Sequence, residues 1–193
     1  MIILASGSPR RKELISKLPA QYRILVPHTK EQHLENESPW DMVSRLAAEK
    51  AVAGSQMTEE SDVLIGADTT VSLSGKIFGK PKDEADAFRM LRLLSGNTHE
   101  VYTGVCVVCR KAQYQKVFYE KTKVTFVSMT DDEILAYLRS GEPMDKAGAY
   151  GIQELGSLWI QGIEGDYFNV VGLPISRLYQ LLKKDFPDLF SKR

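Results

Sequence analysis

Short apolar runs alternate with amphipathic helical stretches along most of the chain, and this alternation limits the fold more than any other feature. A helix between two strands carries the chain back across a sheet, so alternation points to an α/β architecture. Ile2–Ala5 reads as a short buried strand, followed by a helix from about Pro9 to Leu18. A strand near Tyr22–Val26, a polar loop to Glu37 and a helix from Ser38 to about Ala53 come next. Val63–Gly66 is apolar and ends in Ala67-Asp68-Thr69-Thr70, and Ser74-Gly75 reads as a tight turn. Asp83 opens a third helix with Ala87, Met90, Leu91 and Leu94 on one stripe. Glu100–Cys109 and Tyr114–Val127 are strand-like and separated by a short polar break, the pattern of a hairpin. Thr130 and Glu133 form a capping box at the start of a helix ending near Arg139. Leu158–Ile163 reads as a strand, and Pro174–Lys184 as a last amphipathic helix. The expected fold is α/β, with a mixed twisted sheet flanked by helices.

Composition narrows the partners. The 193 residues carry 25 Lys and Arg against 25 Asp and Glu, so the chain lacks the global basic field of a nucleic-acid or anionic-membrane binder. Its length suits a single domain over 1–193 with a core large enough to need no staples. No targeting segment and no membrane span are read, and two cysteines make no disulfide framework. A cytoplasmic location is therefore expected.

Local rules break in three places. Ser38-Pro39-Trp40-Asp41 and Asp83–Asp86 put carboxylates at helix starts, where the dipole favours them. Ser8-Pro9-Arg10-Arg11 has the same cap and proline but places two cations there. Either both arginines point into water, at a cost of about a few tenths of a kcal/mol each, or an anion joins Ser6, Ser8 and the two guanidinium forks. Lys50 falls on the apolar stripe formed by Val43, Leu46, Ala47 and Ala51. Its ammonium either snorkels to the edge or reaches into a cleft. Asp68 follows an apolar strand, where open α/β sheets collect ligands. It is either a group that binds a cation or accepts a proton, or a turn aspartate bonding its own backbone.

Further along, Lys80 in Gly79-Lys80-Pro81-Lys82 has the reach to meet a phosphate, whereas Lys82 reads as solvated. Asp145–Gln153 is rich in small residues, as in a loop that a ligand approaches closely or in a structural turn. Gln153 carries an amide able to read a base edge. Cys106 and Cys109 have redox spacing but lie in a β-branched strand on opposite faces, and His28 and His33 lack a third ligand. Neither a Walker-A loop nor a G-x-G-x-x-G is present.

Taken together, Leu4–Leu14, Gly66–Thr69, Gly79–Pro81, Leu94–Gly96, Asp145–Gln153 and Gly172–Ile175 resemble, in order, the motifs of the Maf family of nucleoside triphosphate pyrophosphatases. The resemblance implies a fold similar to that of inosine triphosphate pyrophosphatases, with two lobes around a cleft. Arg10, Thr69 and Gln153 look like the branch acting on dTTP and UTP; the 7-methyl-GTP branch carries Trp, Gln and Glu at the matching places. It also implies Asp68 as proton acceptor, with Ser6, Ser8, Arg10, Arg11, Lys50 and Lys80 lining the phosphate site. Glu31 matches an acidic position of the family's active-site loop and, with Asp68, would hold Mg²⁺ or Mn²⁺; the neighbouring Gln32-His33 is less typical. Expected partners are a nucleoside triphosphate, with no nucleic acid and no membrane, and a homodimer is open to the chain. The alternative is a nucleotide-binding regulator of cell division without catalysis.

Overall fold

The computed structural model describes residues 1–30, 32 and 34–191. Its elements are β1 (Ile2–Ala5), α1 (Pro9–Ile15), β2 (Tyr22–Leu25), α2 (Pro39–Ser55), β3 (Val63–Leu73), β4 (Lys76–Phe78), α3 (Glu84–Leu94), β5 (Thr98–Cys109), β6 (Tyr114–Phe126), α4 (Asp131–Arg139), β7 (Ile160–Glu164), α5 (Tyr167–Val171) and α6 (Ile175–Asp185). Among the described residues, seven strands form one sheet in the order β2-β1-β3-β5-β6-β7, with β4 paired to β3. β1 runs parallel to both β2 and β3, while β4 on β3 and β7 on β6 are antiparallel. The mixed sheet and its helices are the architecture expected from the alternation.

The chain divides into two compact units, the first comprising residues 1–68, 103–120 and 172–193, the second 69–102 and 121–171. In the first, β1 is buried along its whole length, as a parallel strand covered on both faces should be. α2 buries Met42, Val43, Leu46, Ala47 and Ala51. Its backbone lies almost on the sheet at two glycines. A Cβ at Gly66 would stand 2.1 Å from the Ala47 carbonyl oxygen, and one at Gly104 would stand 2.3 Å from that of Val43. α6 closes this unit by burying Ile175, Leu178 and Leu182.

In the second unit, Ala87, Met90, Leu91 and Leu94 of α3 pack with Ile134, Tyr137 and Leu138 of α4 in one apolar cluster. Asp83 caps α3, and the capping box of Thr130 and Glu133 opens α4, both as the sequence indicates. Ser74 and Gly75 turn the chain from β3 into β4 with positive φ values of 50° and 80°, the geometry of a two-residue hairpin.

Three expectations are corrected. β3 does not stop at Gly66: polar Thr70 and Ser72 take buried strand positions at 1% and 2% exposure, so apolarity ends before the strand does. α1 ends at Ile15, not Leu18. The segment read as a strand from Leu158 starts at Ile160, after a 3₁₀ turn over Leu155–Trp159.

Candidate active site

Within the first unit, the parallel register pairs Ala5 with Gly66, so the loop after β1 starts level with the point at which β3 runs on through Ala67 and Asp68. Asp68 sits inside β3 with 9% of its surface exposed. It is therefore neither beyond a strand end nor a turn residue. Lys50 descends from α2 and its Nζ lies 2.6 Å from Asp68 Oδ1, with the two side chains 11% and 12% exposed. The snorkelling alternative is thus overturned: the ammonium turns toward a shielded carboxylate, because α2 lies close enough on the strand for the lysine stem to span the gap.

Ser6, Ser8 and Arg11 also come together. The Ser8 hydroxyl caps α1 by accepting from the Arg11 N–H at 3.5 Å, and the Ser8 N–H donates to Ser6 Oγ at 3.3 Å. Neither sequence alternative describes Arg11 as it lies here. Its guanidinium turns back on the chain, donating from Nε to the Gly172 carbonyl at 2.7 Å and from Nη1 to Ser6 Oγ at 3.4 Å. Arg11 thus ties the loop after β1 to the segment leading into α6, and its charge stands beside two serines. Arg10 is half-buried next to it. Nearby along the chain, Arg45 holds both oxygens of Glu37 at 2.7 Å, and donates to the Gln32 carbonyl at 2.9 Å. Glu31 and His33 lie outside the described residues.

The second unit holds the remaining candidates. Thr69 is half-buried on β3, and Lys80 and Gln153 are exposed. The Gly148 N–H donates to the Gly79 carbonyl at 3.1 Å, which ties the loop of Gln153 to the turn carrying Lys80. Gly148 has φ +71°, and a Cβ there would stand 2.9 Å from Val71 Cγ2. His99 Nε2 and the Tyr150 hydroxyl are 2.8 Å apart, and both rings meet Phe126 edge-on. Burial drives the His99 pKa down to about 4, so this imidazole is neutral near neutrality.

Sequence reading missed the supports of that loop: Tyr137, Glu142 and Lys146. A buried lysine in an extended link between two 3₁₀ turns leaves no periodic trace. The Gly172 carbonyl that receives Arg11 was equally invisible, since backbone acceptors carry no sequence signature. Cys106 and Cys109 are free and buried, and burial pushes the Cys106 thiol up to about 12, which suits no redox nucleophile.

No group of three His, Cys, Asp or Glu side chains among the described residues forms a metal cage. A hard cation that takes one or two carboxylates and completes its shell from substrate phosphates does not require a cage, and Asp68 fits that pattern.

The family description Maf-like protein matches residues 1–185. The chain is 50% identical over 183 residues to proteins from Bacillus cereus (strain AH187) and Bacillus mycoides (strain KBAB4), both named dTTP/UTP pyrophosphatase. Each alignment covers 95% of this chain and 94% of the relative. A solved Ham1 protein of Staphylococcus aureus aligns over 95% of this chain and 98% of its own, with 13% identity and a TM-score of 0.49.

Proposed function

The chain belongs to the Maf-like protein family, and we propose that it is a nucleoside triphosphate pyrophosphatase that opens the α–β phosphate bond of dTTP and UTP. The observation that carries this reading is the shielded Asp68 carboxylate beside the Lys50 ammonium, in a chain half identical to relatives named for that activity. Water adds to phosphorus as Asp68 takes its proton, and the bridging oxygen leaves with pyrophosphate, giving the monophosphate. A triphosphate carries about four negative charges, and attack requires their neutralisation. Ser6, Ser8, Arg10, Arg11 and Lys80 supply donors and charge for the phosphates. Lys50 holds Asp68 Oδ1, and the second oxygen of the carboxylate takes the proton of the water. Asp68 and Glu31 would hold Mg²⁺ or Mn²⁺, which when bound supplies further charge neutralisation. Arg10, Thr69 and Gln153 are assigned to base selection. The reaction belongs in the cytosol; no helix among the described residues is long and apolar enough to cross a membrane.

The test is a nucleotide panel of dTTP, UTP, CTP, GTP and 7-methyl-GTP with Mg²⁺ or Mn²⁺, measuring pyrophosphate and orthophosphate separately. Pyrophosphate from dTTP and UTP is expected. Orthophosphate would mean cleavage of the γ phosphate and a different mechanism. Tight binding without turnover would favour the regulator.

A further inference from the structure

Lys146 is a charged residue only 6% exposed, yet it carries no candidate chemistry. Its ammonium donates to the Glu142 carbonyl and to Asp145 Oδ1, both at 2.8 Å, and lies 3.4 Å from Glu154 Oε2. Two oxygens thus accept from the ammonium and a third, on Glu154, pairs with its charge, so the lysine is engaged within its own segment. Its stem fills the space over Gly151, where a Cβ would stand 2.7 Å from Lys146 Cε.

Glu142 works on the same stretch from the other side. Its Oε2 accepts from the Leu155 N–H at 2.9 Å, and its Oε1 accepts from the Gly156 N–H at 3.2 Å and from the Tyr137 hydroxyl at 2.5 Å. That hydroxyl in turn accepts from the Gly151 N–H at 3.2 Å. The chain is therefore pinned at Gly151 and again at Leu155 and Gly156. Between the pins lie three residues: Ile152, the exposed Gln153, and Glu154 with its carboxylate tied to Lys146.

We infer that Lys146 and Glu142 are positioning residues for base discrimination, acting on the bend that presents Gln153. The inference rests on the reading of Gln153 as a base-selecting group. A loop of three residues has few ways to aim an amide once both ends are held. When the hold from Lys146 is lost, Glu154 swings into water, and the Gln153 amide samples directions that no longer match a pyrimidine edge. Substrate choice then suffers, while chemistry at Asp68 continues.

The experiment compares kcat/KM for dTTP and GTP in the wild type, Lys146→Met, Lys146→Arg, Gln153→Ala and the double variant Lys146→Met/Gln153→Ala. Lys146→Met is expected to lower the dTTP over GTP ratio about tenfold, mainly through KM for dTTP, as for one lost directed hydrogen bond. Lys146→Arg keeps the charge and recovers part of the ratio. In the Gln153→Ala background, Lys146→Met changes the ratio no further, because its effect passes through that amide. An equal loss of ratio in both backgrounds, or a ratio unchanged in Lys146→Met, overturns the inference alone. If Lys146→Met does not fold, Glu142→Gln is measured in both backgrounds, and equal losses of ratio there overturn the inference as well. A wild type that releases no pyrophosphate from dTTP, or shows no preference, fails the proposed function itself and the inference with it.

Discussion

Lys50 and Lys146 are both lysines withdrawn from water, one in each compact unit, and their settings differ. Lys50 meets Asp68 where both side chains are close to a tenth exposed. Lys146 is as deeply placed, but its carboxylate partners, Asp145 and Glu154, are 64% and 50% exposed. Loss of the first lysine strands a carboxylate away from solvent. Loss of the second returns two carboxylates to water that already reaches them. A shielded pair is costly to break and so holds its charges in place, whereas a half-wet network braces a loop at little cost.

The contrast is tested most strongly by activity. Asp68→Asn keeps the shape and removes the proposed proton acceptor, so pyrophosphate release from dTTP should fall by about a hundredfold or more. Unchanged turnover would remove Asp68 from the chemistry. Stability comes next. Lys50→Met should cost about 3–5 kcal/mol in urea unfolding, because Asp68 is left unpaired, and adding Asp68→Asn should restore most of it. If the double variant is no more stable than the single, the pair is not the shielded unit described here. Lys146→Met should cost only about 1–2 kcal/mol, and an equal cost at the two lysines would erase the distinction between them.

A third buried group shows the same principle without a charge partner. His99 is neutral in the folded protein, with its pKa lowered from 6.5 to about 4. The unfolded chain therefore binds the extra proton first. The stability tied to this residue is fully present above about pH 6.5 and is lost as pH falls toward 4, up to about 3 kcal/mol in all. His99→Gln can keep a hydrogen bond to the Tyr150 hydroxyl and cannot titrate. Its unfolding free energy should lack that acid slope between pH 6.5 and 4, and a slope equal to the wild type would assign it to other groups. The smallest effect is expected at Glu154→Gln, below about 1 kcal/mol, since that partner is half in water.

The legibility of the sequence divides along physical lines. Elements held by caps and apolar stripes were readable: Asp83 and Thr130 start their helices, and α3 buries the four residues of its stripe. β3 was cut short because Thr70 and Ser72 take buried positions without apolar side chains. For the site, Arg10 and Arg11, Lys50 and Asp68 stood out because each broke a local rule, yet the pairing of Lys50 with Asp68 depends on how α2 lies over the sheet. Tyr137, Glu142 and Lys146 broke no rule and were silent, since their importance comes from what they touch and from nothing in their spacing.

The close approach of α2 to Gly66 and Gly104 has a consequence for tolerance. Where side chains separate two elements, swapping a leucine for a valine changes the gap, and anything mounted across it moves. Here peptide groups themselves set the gap above β3, so it works as a gauge block that mutation of the surrounding core cannot resize. The span between the Lys50 and Asp68 backbones is therefore inherited from main-chain dimensions. Core drift can proceed elsewhere in the unit while the Lys50–Asp68 pair keeps its spacing.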